Sequence, residues 1–268
     1  MIHALDHIAL AARDLDSAAA GYALLLGCPA QRASGGDGAA RATFPLGNMS
    51  LQLRAAPSGA VEGLAALGFA TADLGKARSL LERRGLAVAQ GDGGGAIDVA
   101  PAATHGTGIS LVERAPGPAQ TGPLPPADAE HDEIVSGLDH VVIRSPNPER
   151  AVALFAGRLG LSLRLDRTEP AWGARLLFFR CGDLIVEVAH DLKAGVSDGP
   201  DRLWGLSWRV ADIGKAHARL RAAGIDASDI RAGRRPQTKV FTVKSHTAGV
   251  PTLMIGTAMS SAHPPADT

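Results

Sequence analysis

LDHVVIRSPNPERAVALFAGRLG, Leu138–Gly160, decides the fold because its pattern occurs four times in the chain. It runs from a short apolar, β-branched strand through Asn147-Pro148 into an amphipathic helix that ends at Gly160. The same order is written as LDHIALAARDLDSAAAGYALLLG from Leu5, LAALGFATADLGKARSLLERRG from Leu64 and LWGLSWRVADIGKAHARLRAAG from Leu203. Asp14, Asp73 and Asp212 stand where Asn147 does, as N-caps whose side chains accept from the first-turn amides. Gly27, Gly85, Gly160 and Gly224 are the matching C-caps. Thirteen positions separate cap from glycine in the first and third copies and twelve in the second and fourth. Asn147 follows Asp14 by 133 positions, near half of the 268 residues, so a two-module unit has been copied once. A fixed repeat of this kind outranks local propensity in setting the architecture.

Two or three strand candidates follow each helix. In the third copy they are Leu161–Asp166, Arg175–Arg180 and Leu184–Ala189, with Cys181-Gly182-Asp183 as a turn. The first copy offers Arg41–Pro45 and Met49–Arg54, and the fourth offers Lys239–Lys244 and Pro251–Ile255. The expected fold class is α+β: four βαβββ modules forming two cupped, mostly antiparallel sheets with helices outside. Ala115–Asp132 carries five prolines and no apolar periodicity, and reads as a linker. The expected division is therefore 1–114, a linker 115–133, 134–259 and a disordered tail 260–268. Gly91–Gly95 lacks the strand–loop–helix context of a phosphate cradle and reads as a hairpin loop.

Bulk composition excludes several classes. The formal net charge is zero, so there is no electrostatic footprint for nucleic acid. No apolar run reaches the roughly 18 residues of a membrane span. No basic segment followed by an apolar one opens the chain, so no signal peptide is expected. Two cysteines, Cys28 and Cys181, lie in opposite halves without metal-type spacing, which points to the cytoplasm. The expected partner is a small molecule, and the chain a monomer or homodimer. Aromatics are scarce at 4%, yet all three tryptophans, Trp172, Trp204 and Trp208, fall in the second half.

The repeat resembles the βαβββ module of the vicinal oxygen chelate superfamily, which includes glyoxalase I, bleomycin-binding and fosfomycin-resistance proteins and extradiol dioxygenases. The strand starts LDHIAL and LDHVVI, the cap seven positions after each histidine, the glycine-ended helix and turns such as LGNMSLQL and CGDLIVEV carry it. The resemblance implies a site inside each cup and two metal positions per module. These fall on His7 and Gln52 in module one and on His140 and Glu187 in module three. Modules two and four offer Ala66, Ser110, Gly205 and Met254 instead. Adjacent modules are expected to pair, leaving at most two ligands per cup. A shared set of His7, Gln52, His140 and Glu187 would need modules one and three to meet. A divalent ion (Fe, Mn, Zn or Ni) and a metal-free site both remain open.

The second half holds the richer constellation. His140, Glu187 and Arg209 are the candidate catalytic residues, with His140 and Glu187 as candidate metal ligands. Strand alternation places Gly205, Ser207 and Arg209 on the cup face, and Leu206 and Trp208 toward the helices. Trp172, Arg175, Trp204, Ser207 and Met254 are the candidate substrate-binding residues. Arg209 is expected to pair with Glu187 or to grip a substrate carboxylate, and the run Arg231–Lys239 to be a solvated loop near the pocket mouth. No Ser-His-Asp or Cys-His set stands out. The expected activity is that of an enzyme on a small oxygenated molecule in the second cup, of lyase, isomerase or dioxygenase type. A metal-free binding or resistance protein of the same fold is the alternative.

Overall fold

The computed structural model describes residues 2–35, 38–57, 59, 61–91, 95–117 and 133–257. Most of the proline-rich segment and the expected tail lie outside the described residues. Module one comprises β1 (Ile2–Ala12), α1 (Leu15–Leu26), β2 (Gln31–Ser34), β3 (Ala40–Pro45) and β4 (Ser50–Ala55). Module two comprises β5 (Gly63–Thr71), α2 (Leu74–Arg83), β6 (Val88–Gln90), β7 (Ala96–Val99) and β8 (Gly108–Glu113). Module three comprises β9 (Val135–Arg144), α3 (Pro148–Val152), β10 (Ser162–Glu169), β11 (Ala174–Cys181) and β12 (Leu184–Asp191). Module four comprises β13 (Arg202–Asp212), α4 (Ile213–Ala222), β14 (Arg231–Ala232), β15 (Thr238–Val243) and β16 (Thr252–Thr257). Each module is β-α-β-β-β, as the repeat requires.

The sixteen strands form two eight-stranded sheets, ordered β2-β3-β4-β1-β5-β8-β7-β6 and β10-β11-β12-β9-β13-β16-β15-β14. Modules pair in chain order through their first strands, β1 against β5 and β9 against β13, both antiparallel. Within a module the first strand runs parallel to the last. Modules one and three thus sit in different sheets, so within one chain His7 and His140 belong to separate cups.

The caps account for the helix limits. Asp14 accepts from Asp16 N and Ser17 N, Asp73 from Lys76 N, Asn147 from Arg150 N, and Asp212 from Gly214 N and Lys215 N. All four closing glycines have φ between 75° and 79°, the left-handed region where a side chain is disfavoured. The third helix departs from its pattern in one respect: after Val152 it continues as a π-helix over Ala153–Arg158. Its apolar stripe Ala151, Leu154, Phe155 and Leu159 is nevertheless buried. The edge strands β2, β6 and β14 were not legible, being two to four residues long and exposed or nearly so.

Helix-side residues of both sheets and sheet-facing residues of the helices fill the core, with Trp208, Phe44, Phe69, Phe179 and Phe241 from strands and Tyr22 and Phe155 from helices fully buried. The halves also clasp each other. The Arg219 guanidinium of α4 donates to Leu24 O and Leu25 O at 2.6 and 2.9 Å, capping carbonyls that α1 leaves unpaired. Asn48, in the β3–β4 turn, donates to Leu138 O and accepts from Leu138 N at 2.8 and 2.9 Å. Trp208→Ala is expected to destabilise the protein by about 3–5 kcal/mol, read from its urea midpoint. A loss below ~1 kcal/mol would contradict the packing assigned to it.

Candidate active site

In the second sheet, β9 is flanked by β12, which runs parallel, and β13, which runs antiparallel. Ser207 lies opposite His140, and Glu187 opposite Val142, so all three side chains share the cup face. The register between β9 and β13 then jumps from His140↔Ser207 to Leu138↔Trp208, leaving Asp139 unpaired. Such a β-bulge lets two successive side chains meet on one side of a strand. Asp139 and His140 do so: His140 Nδ1 is 2.9 Å from Asp139 Oδ2.

Three groups converge on the imidazole. Asp139 carries negative charge, so Nδ1 bears the proton and donates to it, leaving the Nε2 lone pair free to accept. The Ser207 hydroxyl donates to Nε2 at 2.8 Å. Glu187 Oε2 lies 3.7 Å from the same nitrogen. Burial pushes the Asp139 carboxyl up, but hydrogen bonds from His140 and Arg235 outweigh it and hold the group well below the usual carboxylate range. Glu187 goes the other way: burial raises it, and the attraction of His140 and Arg234 only partly offsets that. Two carboxyls flanking one imidazole are therefore pushed apart, one fixed as the anion and one biased toward the acid.

Arg209 reaches this cluster but does not pair with Glu187. Its guanidinium donates to Asp183 Oδ2 at 2.9 Å, to Asp183 O at 2.6 Å and toward Asp139 Oδ1 at 3.4 Å. With its donors committed to protein, it supports Asp139. The span 231–239 is not wholly a loop: its ends belong to β14 and β15, and the turn between them, 233–237, reaches toward this cluster. Arg235 Nη2 donates to Asp139 Oδ1 at 3.0 Å, and Arg234 lies 4.2 Å from the Trp172 ring centroid. Arg167 stacks on the same ring at 5.1 Å, and Arg144 on Trp204 at 4.3 Å. Both rings are about 40% exposed, at the rim. Trp204 belongs to β13.

Two expected substrate-binding residues are placed elsewhere. Met254 is fully buried in the core, paired with Trp208 on the helix face; Leu253, paired with Ser207, is the cup-face residue of β16. The expected position misses by one residue, which on a strand exchanges the faces. Arg175 pairs with His190 on the helix side and is bound by Asp166 and Glu149, at 2.7 and 2.6 Å. It clamps α3 to the sheet. Cys181 is buried, and burial pushes its thiol up to about 12, so it is no nucleophile.

Asp139 is the residue that sequence reasoning missed, and its signal was present. The tripeptide Leu-Asp-His opens both odd modules, and both carry the same bulge. In the first sheet the register jumps from Leu5↔Phe69 to His7↔Gly68, and His7 Nδ1 is 2.8 Å from Asp6 Oδ2. There the likeness ends. Gly68 stands where Ser207 does, and Gln52 where Glu187 does. The His7 ring lies against Gly68 so closely that a Cβ there would overlap it. The first cup thus keeps the oriented imidazole and lacks both proton-bearing neighbours. His7→Ala is expected to leave function within about twofold of wild type; loss of activity in a folded variant would move the site to the first cup.

His140 and Glu187 are the residues that could face a divalent ion. The donor set does not fit a retained one. Nδ1 is committed to Asp139, which leaves one imidazole nitrogen and one carboxylate, and the facing positions Gly205 and Leu253 supply no ligand. Among the described residues no group of three His, Cys, Asp or Glu side chains could hold a metal, and catalytic ions are usually held by three protein ligands. Elemental analysis of the purified protein is expected to find well under one Fe, Mn, Zn or Ni per chain. A stoichiometric ion that survives gel filtration would contradict this.

Residues 139–242 match the family model described as Glyoxalase/Bleomycin resistance protein/Dioxygenase superfamily. No curated protein matches the chain by sequence. Among solved structures, the Mn(II)-bound glyoxalase from Novosphingobium aromaticivorans is similar at 17% identity and TM-score 0.68, covering 95% of this chain and 82% of that one. A triple mutant of 4-hydroxymandelate synthase from Streptomyces coelicolor gives 14% identity and TM-score 0.72, over 98% and 95% of the two chains. The 2,2',3-trihydroxybiphenyl 1,2-dioxygenase from Sphingomonas wittichii gives 18% and 0.69, over 96% and 91%. At such identities the likeness is one of fold.

Proposed function

We propose, from the match of residues 139–242 to the glyoxalase/bleomycin resistance protein/dioxygenase superfamily model and from the site geometry, an enzyme that moves a proton on a small oxygenated molecule in the second cup. The reaction is of isomerase or lyase type. The observation that carries it is the pair Glu187 and His140, 3.7 Å apart, with His140 locked at its other nitrogen by Asp139.

Glu187 in its ionised form takes a proton from carbon beside a carbonyl or hydroxyl. Its buried site favours the protonated product, which makes it a stronger base than an exposed glutamate. The same proton then returns to a neighbouring atom of the substrate, so none is gained or lost overall. His140 stands within reach to take the proton in transit at Nε2. The imidazolium so formed lies against an anionic Asp139 that was there beforehand. Ser207 serves both states: its O–H donates to the neutral Nε2, and its oxygen accepts from the protonated one. Arg235 helps keep Asp139 ionised, and Arg209, reaching toward it from β13, is with Arg235 a positioning residue. A dioxygenase needs a bound redox metal, which this donor set does not favour.

Two glyoxalase-like domains, 1–114 and 134–259, are the proposed division, supported by the separation of β1–β8 from β9–β16 into two sheets. The cytoplasm is the proposed compartment, since Cys28 and Cys181 are both free.

The test is hydrogen exchange. Chelator-treated protein is incubated in D2O with a panel of 2-oxo and 2-hydroxy acids, their phosphorylated derivatives and thioesters, and deuterium at carbon is read by NMR. Incorporation into at least one compound without added metal is expected. Exchange that appears only after an ion is restored would overturn the metal-independent reading. Tight binding with no exchange or product anywhere would make the chain a sequestering protein.

A further inference from the structure

A cavity of about 720 Å3 opens at the ends of β9 and β12, the strands that carry His140 and Glu187. It lies directly along the strands that carry the site. Arg144, on its wall, is four residues beyond His140 on β9, and its register partner Ala189 is two beyond Glu187 on β12. At roughly 3.3 Å per residue, the cavity begins about 7 Å from Glu187 and reaches Arg144 about 13 Å from His140.

Its charge is one-sided. Arg144, Lys193 and Arg202 line it, and Asp191 is the only carboxylate among the lining residues. Asp191 already accepts from the Lys193 backbone amide at 2.9 Å. Among the described residues the side chains of Arg144, Lys193 and Arg202 form no hydrogen bond or ion pair. Other guanidiniums of this half contrast with them: Arg167, Arg209 and Arg235 around the cup, and Arg175 on the helix side, each bind a carboxylate. Arg144 is also held in place over the Trp204 ring, its Cζ 4.3 Å from the centroid. Arg202 lies directly across from it, paired on β13. Two facing strand residues of like charge repel each other unless something lies between them. Trp172 and Pro170 give the cavity an apolar wall.

We propose that this cavity is the subsite for an oxyanion carried on the substrate's tail, a phosphate or carboxylate, held between Arg144 and Arg202 with Lys193 beside them. This rests on the proton-transfer reading and narrows it. The substrate is an elongated acid whose charged group lies about 7–13 Å from the reacting carbon, not a compact 2-oxo acid that the Glu187 end alone would hold. Guanidinium pairs suit such a group because their planar forks bind oxyanions in a bidentate manner.

Phenyl phosphate and phenylacetate serve as probes, followed by calorimetry and tryptophan fluorescence on the full chain at low salt. Phenyl phosphate is expected to bind at one site and to weaken as salt rises. Arg144→Gln with Arg202→Gln is expected to weaken it at least tenfold, with the melting temperature unchanged because both side chains are exposed. Lys193→Glu supplies an independent charge reversal on an exposed turn and is expected to weaken it as well. Phenylacetate binding tighter than phenyl phosphate would assign the site to carboxylates, and the reverse to phosphates; both support it. Phenyl phosphate binding that ignores all three substitutions, or no binding at all, overturns the subsite. The two readings fail separately: binding that depends on these cations without solvent exchange on any compound leaves the subsite and removes the proton transfer, while exchange that survives their loss with unchanged KM does the reverse.

Discussion

Glu187→Gln is expected to lower the rate of solvent exchange into substrate by about 10²–10⁴-fold, the usual weight of a positioned acid–base group. The amide has nearly the same size and keeps a hydrogen-bonding end, so the cup stays filled. What disappears is the one group near Nε2 of His140 that burial biases toward carrying a proton. Stability should move the opposite way from activity. A carboxyl raised by burial favours folding while protonated and loses that contribution as pH rises from its unfolded value, about 4.3, through its folded one. The Gln variant lacks this loss, so above that window it should unfold at equal or higher temperature than wild type. A variant that is inactive and also strongly destabilised at neutral pH would recast Glu187 as a structural residue.

Asp139→Asn carries the second large effect, through the tautomer. With the carboxylate present, Nδ1 of His140 holds the proton and Nε2 is an acceptor for Ser207. An amide at 139 can present its N–H to Nδ1 and send the proton to Nε2, which closes the acceptor. A fall of about 10²–10⁴-fold in exchange is expected, with substrate binding changed much less. The pH dependence of stability gives a separate readout. Asp139 has a lowered pKa, so its stabilisation is present above the unfolded aspartate value, about 3.9, and vanishes as pH falls through the folded value. In the variant this acid limb should flatten. Arg235 and Arg209 also lose an anionic partner, so some destabilisation at neutral pH is expected with it. An unchanged exchange rate in a folded variant would detach Asp139 from the chemistry.

The fold was legible because its determinants are local and repeated. Four N-caps and four left-handed glycines mark helix limits in the sequence itself, and duplication fixes which strands correspond. The site was legible where alternation holds without interruption. From His140 one could count to the cup face of β13 at Ser207 and Arg209, and place Trp208 in the core. It failed where counting crossed an irregularity or assumed the wrong end. Met254 lies one residue off the cup face. Arg175 alternates onto the helix side, where Asp166 and Glu149 claim it. Asp139 was passed over because a regular strand would point it away from His140, and only the bulge turns it back. The partners of Arg209 depend on the β11–β12 turn that brings Asp183 alongside, a contact between modules three and four that no local pattern encodes.

The most direct measurement is a 13C NMR titration of protein labelled at glutamate side-chain carboxyls, made without substrate or metal. The account requires one resonance, absent from Glu187→Gln, that titrates clearly above the other glutamates, and whose midpoint shifts when His140 is replaced by Ala. If Glu187 titrates with the exposed glutamates, or if its resonance responds to divalent ions while ignoring His140→Ala, the proton-carrying pair at the centre of this account does not exist.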